Sequence, residues 1–254
     1  MAFNGFAALA LLVLPLAASA QVKVIISGGF SGPYEKLLPR FEQETGIKVT
    51  TGSGASQGTG PQTIAAQLAR GEPADVVILS REGLTDLIAA KRIEPGTDVD
   101  LARTPLGIAV RAGAPKPDVR TVEDFKKLVV NAKAVAVPAS TSGIFLQKDV
   151  LPRLGIADKV NVKPSARGNG AAAMVVSGEA DIAVMPVSEI VHAPGVELAG
   201  IIADEIQLNQ VFSAAIVVGS KQEESAKKLI AYLASPRGAD AIRSSGMEPL
   251  AKAR

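Results

Sequence analysis

Val76-Val77-Ile78-Leu79 is an unbroken apolar run. A strand with one solvated face alternates apolar and polar residues, so a continuous run of this length reads as a strand buried on both faces. Its flanks agree. Residues 63–70 place Ile64, Leu68 and several alanines on one side of a helix, and residues 84–90 form another helix. Further upstream, residues 22–26 read as a first strand. Residues 34–44 carry Leu37, Leu38 and Phe41 at helical spacing, and residues 47–51 read as a second strand. Strand and helix in alternation predict an α/β architecture with mostly parallel sheets.

The pattern restarts after Asp100. Strands are expected at residues 106–110, 135–137, 181–185 and 211–218. Helices are expected at 121–130 (with Thr121 as N-cap), 144–154, 171–177, 223–233 and 239–244. There are no internal repeats, and the Pro-rich residues 112–118 read as a surface loop.

Residues 1–20 are set apart from this pattern. Residues 6–16 are almost wholly apolar and Ala18-Ser19-Ala20 offers small residues for cleavage before Gln21, the pattern of a secretory signal peptide. The apolar stretch is shorter than the roughly 20 residues a membrane span requires. One feature departs from the pattern, because Met1 to Gly5 contains no Lys or Arg.

Composition excludes several classes of function. The net charge is +2 with both signs interspersed, so there is no basic stripe for nucleic acid. Cysteine is absent, which removes disulfides, thiolate chemistry and Cys-based metal sites. With a single histidine, His192, the chain has few ways to hold a transition metal, and neither metal nor cofactor is expected.

Chemistry concentrates in four Gly- and Ser-rich turns between strands and helices: Ser27-Gly28-Gly29-Phe30-Ser31-Gly32, residues 52–60, Ser140-Thr141-Ser142-Gly143, and Arg167-Gly168-Asn169-Gly170. A helix N-terminus presents unpaired N–H groups and partial positive charge, which suits an anion. Hydroxyls at such turns either cap the helix or face a ligand. In open α/β sheets ligands bind beyond the carboxyl ends of the strands, where these turns lie. The four look like two pairs facing across a cleft. Arg81, Arg103 and Arg167 lie near them and could pair with carboxylates or oxyanions. Arg103 is favoured, because it falls where the two halves should join.

Gly54-Ala55-Ser56-Gln57-Gly58 matches the G-x-S-x-G nucleophile elbow, with Asp181 and His192 in the order that fold needs. The elbow requires a helix directly after its serine, and Gly58-Thr59-Gly60-Pro61 delays it here. No Gly-Lys-Ser/Thr follows the glycines, so there is no P-loop.

Four segments carry a family resemblance over nearly the whole chain from Gln21. They are Phe41-Glu42-Gln43-Glu44-Thr45-Gly46-Ile47-Lys48-Val49, Ala69-Arg70-Gly71-Glu72-Pro73-Ala74-Asp75-Val76-Val77, Gly107-Ile108-Ala109-Val110-Arg111-Ala112-Gly113-Ala114-Pro115 and Ser177-Gly178-Glu179-Ala180-Asp181-Ile182. With them the chain resembles the type II periplasmic solute-binding proteins, and among these the molybdate-binding-protein-like group. The resemblance implies a two-lobe α/β fold with a hinge and an interlobe cleft. Lobe one would comprise residues 21–102 and 211–254, and lobe two residues 103–210. It also implies a periplasmic monomer that captures a small anionic solute for an ABC transporter permease in the inner membrane, with no catalytic residue and no enzyme activity.

In that group serine hydroxyls, backbone N–H groups and a tyrosine hold the oxyanion. Here Gly29 stands at the first serine position with Ser27 and Ser31 beside it. Ser56 and Thr59 fall at the second, Ser142 at the third, and Pro186 at the tyrosine. The longer second loop and the arginines suit a larger anion, such as an organic carboxylate. The expected binding set is therefore Ser27, Gly28, Gly29, Ser31, Ser56, Thr59, Arg81, Arg103, Ser140, Thr141, Ser142, Gly143 and Pro186. Two other readings are an exported hydrolase using Ser56 and a solute sensor that reports to a signalling receptor.

Overall fold

The computed structural model describes residues 21–250. The signal-peptide reading falls on residues 1–20, outside the described residues. Two sheets share the chain. The first contains β1 (Gln21–Ile26), β2 (Lys48–Ser53), β3 (Val76–Ser80), β4 (Val99–Thr104), β10 (Gln210–Ile216) and β11 (Glu248–Pro249), in the order β11-β4-β10-β3-β1-β2. The second contains β5 (Leu106–Arg111), β6 (Val135–Pro138), β7 (Val162–Ser165), β8 (Ile182–Pro186) and β9 (Val196–Ile201), in the order β7-β6-β8-β5-β9. The chain crosses between the sheets at Pro105 and again over residues 202–209, which makes two lobes joined by two strands of backbone.

The sheets are mixed, not mostly parallel. β1 runs parallel to β2 and β3, whereas β10 is antiparallel to both β3 and β4. In the second sheet β6 is parallel to β7 and β8, and β5 is antiparallel to β8 and β9. The antiparallel pairs belong to the strands that carry the chain between lobes.

The apolar run at residues 76–79 does what its sequence requires. Val76 and Ile78 join a core with Phe30, Tyr34, Leu37 and Phe41 of the first turn and helix α1 (Ser31–Thr45). Val77 and Leu79 face the opposite way, onto α2 (Ile64–Ala69) and α3 (Arg81–Ala89) through Ile64, Leu68, Leu84 and Leu87. Each large aliphatic buried this way contributes about 1.5–3 kcal/mol. The second lobe repeats the scheme. Val135, Val137, Ile182 and Val184 pack on Phe125 and Val129 of α4 (Val122–Asn131). Ala136, Ala183 and Met185 instead meet Ala171, Ala172 and Val175 of α7 (Gly168–Ser177), where small residues let helix and sheet approach closely.

Helix starts divide into two kinds. Thr63, Ser80 and Thr121 each cap a helix by accepting a backbone N–H, from Ala66, Gly83 and Asp124 respectively. Ser27, at the start of the short 3-10 turn Gly28–Phe30, makes no cap bond, and neither does Ser140 at α5 (Thr141–Phe145). α5 continues through a π turn at Leu146–Val150 into α6 (Leu151–Arg153), so this helical stretch begins three residues before the expected 144. α7 also starts early, at Gly168. After β8 the chain forms α8 (Val187–Ile190), a single turn not read from the sequence. α9 (Glu223–Leu233) and α10 (Ala239–Arg243) pack back against the first lobe.

Candidate functional site: the interlobe cleft

The carboxyl ends of the strands in both sheets converge on a narrow cavity between the lobes, with about 20 Å³ of free room, enough for about one water molecule in this conformation. Ser27, Gly28 and Gly29 line it from one lobe, with Ser56, Gln210 and Phe212. Ser140, Ser142, Arg167, Gly168 and Glu189 line it from the other. The lobes touch around it. Thr141 Oγ1 donates to Gln57 Oε1 at 3.0 Å and lies 2.8 Å from Ser80 Oγ. Gln57 N donates to Ser140 Oγ at 3.3 Å, and Arg167 Nη1 reaches across to Ser53 Oγ at 2.6 Å.

Two polar atoms in this wall lack partners among the described residues. Ser27 Oγ and Gln210 Oε1 are buried without a hydrogen bond among the described residues. Buried polar groups are nearly always paired, and orphans mark a place where a ligand or water completes the set. The uncapped Ser27 fits this account, since its hydroxyl is not used on its own helix, whereas the uncapped Ser140 accepts the Gln57 N–H.

Of the expected residues, Ser27, Gly28, Gly29, Ser56, Ser140 and Ser142 come together in this wall. Thr141 lies just behind it and serves the bond network between lobes. The remaining six do not line it. Ser31 Oγ donates to Gly28 O at 2.7 Å and borders a neighbouring mouth of the cleft. Thr59 is exposed on the second loop, which runs past the cavity. Gly143 packs against Pro138 O, where a side chain would not fit. Pro186 is buried at the end of β8. Arg81 is held by Asp98 and Asp100, and Arg103 by Glu248 at 2.7 Å on the sheet edge. The favoured Arg103 therefore does not line the cleft, and Arg167 does. Strand β4 aims residue 103 at β11, while the fourth turn carries residue 167 into the cleft.

Gly29 is closely packed. A Cβ there would overlap the ring of Phe212, which rests on the turn. Ser56 gains no base. Its Oγ accepts the Ser80 N–H at 2.9 Å, and His192 sits beside Gly32 at the other mouth. The elbow reading thus lacks its histidine.

Gln210, Phe212 and Glu189 were missed in the sequence, and Glu189, on α8, is the ionisable one. Its carboxylate lies between the backbone of Gly28 in one lobe and of Gly168 in the other. A Cβ on Gly28 would come within 2.8 Å of Oε2, and one on Gly168 would overlap it. Burial pushes its pKa from 4.5 up to about 7, although the charge of Arg167 pulls the other way. The available signal was position, three residues beyond the apolar strand β8 at the end where ligands bind.

A family described as bacterial extracellular solute-binding protein matches residues 22–248. An aconitate isomerase of a Pseudomonas species is 36% identical over 247 residues, covering 96% of this chain and 94% of its own. The molybdate-binding protein of Escherichia coli is 24% identical over 240 residues, covering 91% and 90%. Among solved structures, the sulfate-binding protein of Mycobacterium tuberculosis superposes with a TM-score of 0.72 at 18% identity, covering 91% of this chain and 87% of that one. These likenesses agree on the two-lobe fold. The first corrects one expectation, that the chain has no enzyme activity and no catalytic residue, because that relative is named for a reaction it catalyses.

Proposed function

The chain belongs to the bacterial extracellular solute-binding protein family, and on that premise we propose that it encloses a small unsaturated polycarboxylate of the aconitate type between its lobes and isomerises it. The name of the 36% identical relative supports the substrate class. One observation carries the reading: the same cavity holds the cation Arg167, the unpartnered hydroxyl of Ser27 and the carboxylate of Glu189. Arg167, Ser27 and the hydroxyls of Ser56, Ser140 and Ser142 suit the carboxylates of a ligand. Beside bound carboxylates an ionised Glu189 is disfavoured, since like charges repel within a few ångströms, so the group takes up a proton there. It has a place where a proton is to be moved.

Hinge closure brings the two halves of this site together, and a ligand touching both favours the closed state. In the same reading the chain acts in the periplasm after loss of residues 1–20. A closed, loaded cleft is also what an ABC transporter permease would receive, so delivery is compatible with turnover.

The test incubates the purified protein with cis-aconitate and follows the trans isomer by proton NMR against a heat-inactivated control. Calorimetry with aconitate, citrate, molybdate and sulfate runs alongside. Turnover with binding of the tricarboxylate is expected. Binding of molybdate or sulfate with neither binding nor turnover of aconitate would overturn the reading.

A further inference from the structure

Resting on the isomerase reading above, we propose that Glu189 is the general base, taking a proton from the methylene carbon of the bound polycarboxylate and returning it to the far end of the allylic unit. In the first half the methylene C–H bond breaks and an O–H bond forms on Glu189. The electron pair spreads over the neighbouring double bond and its carboxylates. In the second half Glu189 gives that proton to the carbon that was vinylic. The double bond now joins the former methylene carbon to the central carbon, and Glu189 is again a carboxylate. No oxidant or reductant is needed. The geometry of the new alkene is set by how the cleft holds the methylene arm when its proton leaves.

The placement carries this assignment. Two glycines on opposite lobes, Gly28 and Gly168, clear the volume that the Glu189 carboxylate occupies, so lobe closure fixes it against the bound solute. No donor among the described residues neutralises it; the charge that acts on it is that of Arg167. Ser27, with its free hydroxyl, lines the same cavity and can hold a substrate carboxylate beside it. Glu35 and His192 line the adjoining mouth with Glu189 and are the other titratable groups there. A base half-ionised near neutrality suits proton transfer in both directions.

The experiment compares wild type with Glu189→Gln and Glu189→Asp in three readouts: aconitate affinity, turnover, and deuterium uptake into the substrate methylene in D2O. Glu189→Gln is expected to bind within a few-fold of wild type and to lose roughly 10²–10⁴-fold in turnover, together with deuterium uptake. Glu189→Asp is expected to keep a reduced rate and the acid limb of the pH profile. Turnover by Glu189→Gln within threefold of wild type would overturn the assignment and leave the isomerase reading standing. Loss of binding in Glu189→Gln, with a thermal melt no lower than that of wild type, would give the residue to binding and also overturn it. A wild-type protein that neither binds nor converts aconitate would remove the substrate reading and this inference with it.

Discussion

Removing the Glu189 charge should make the protein more stable at alkaline pH, and the pH dependence identifies the cause. The folded pKa is raised from 4.5 to about 7. Below the unfolded value both states hold the proton and the site costs nothing. Between the two values the native state keeps a proton that the unfolded chain has released, so stability falls as pH rises. Above the folded value both states are ionised and the full cost is present. At about 1.4 kcal/mol per pH unit, that cost is about 3 kcal/mol, a ceiling because the side chain is only half-buried. Glu189→Gln is neutral throughout and escapes it. Relative to its offset at pH 4, the variant should gain up to about 3 kcal/mol by pH 8, at about 2–4 °C in Tm per kcal/mol. Thermal melts of both proteins at pH 4, 6 and 8 measure this, and taking the difference cancels every other titrating group. A Tm gap that is flat with pH, or that favours wild type at pH 8, would refute the argument that burial opposes this charge.

The two arginines separate in one experiment. Arg167→Ala removes the cleft cation and the bond to Ser53, and calorimetry should show aconitate binding weakened by at least about 10-fold, a charged hydrogen bond being worth roughly 1.5–3 kcal/mol. Arg103→Ala breaks only an exposed pair with Glu248, so affinity should be unchanged and stability should move by less than about 1 kcal/mol. Gly29→Ser places a side chain against the Phe212 ring. It should cost about 1–3 kcal/mol by overpacking, read from urea denaturation, and it should not confer molybdate binding in calorimetry.

The strand at residues 76–79 and the turns at 27–32 and 140–143 were legible because their signals are local. An unbroken apolar run needs two covered faces wherever it lies, and glycine with serine after a strand marks a strand-to-helix turn. β4 and β9 were not legible. Val99–Thr104 and Val196–Ile201 mix polar and apolar residues, and only their pairing with β10 and β5 makes them strands. The parallel expectation failed for a related reason. β10 enters the first sheet from more than a hundred residues downstream, and no local pattern records that partner.

The same division holds at the site. Sequence alone determined the α/β layering, the two faces of the central strands and the location of the Gly- and Ser-rich turns, because periodicity and turn chemistry depend on neighbours along the chain. Which arginine enters the cleft, what crowds Gly29, and which groups surround Glu189 were decided by tertiary structure. Those properties depend on groups that meet across two lobes. In the sequence Glu189 is one acid among many; between Gly28 and Gly168 it is a desolvated carboxylate beside a cation, and its chemistry follows from that environment.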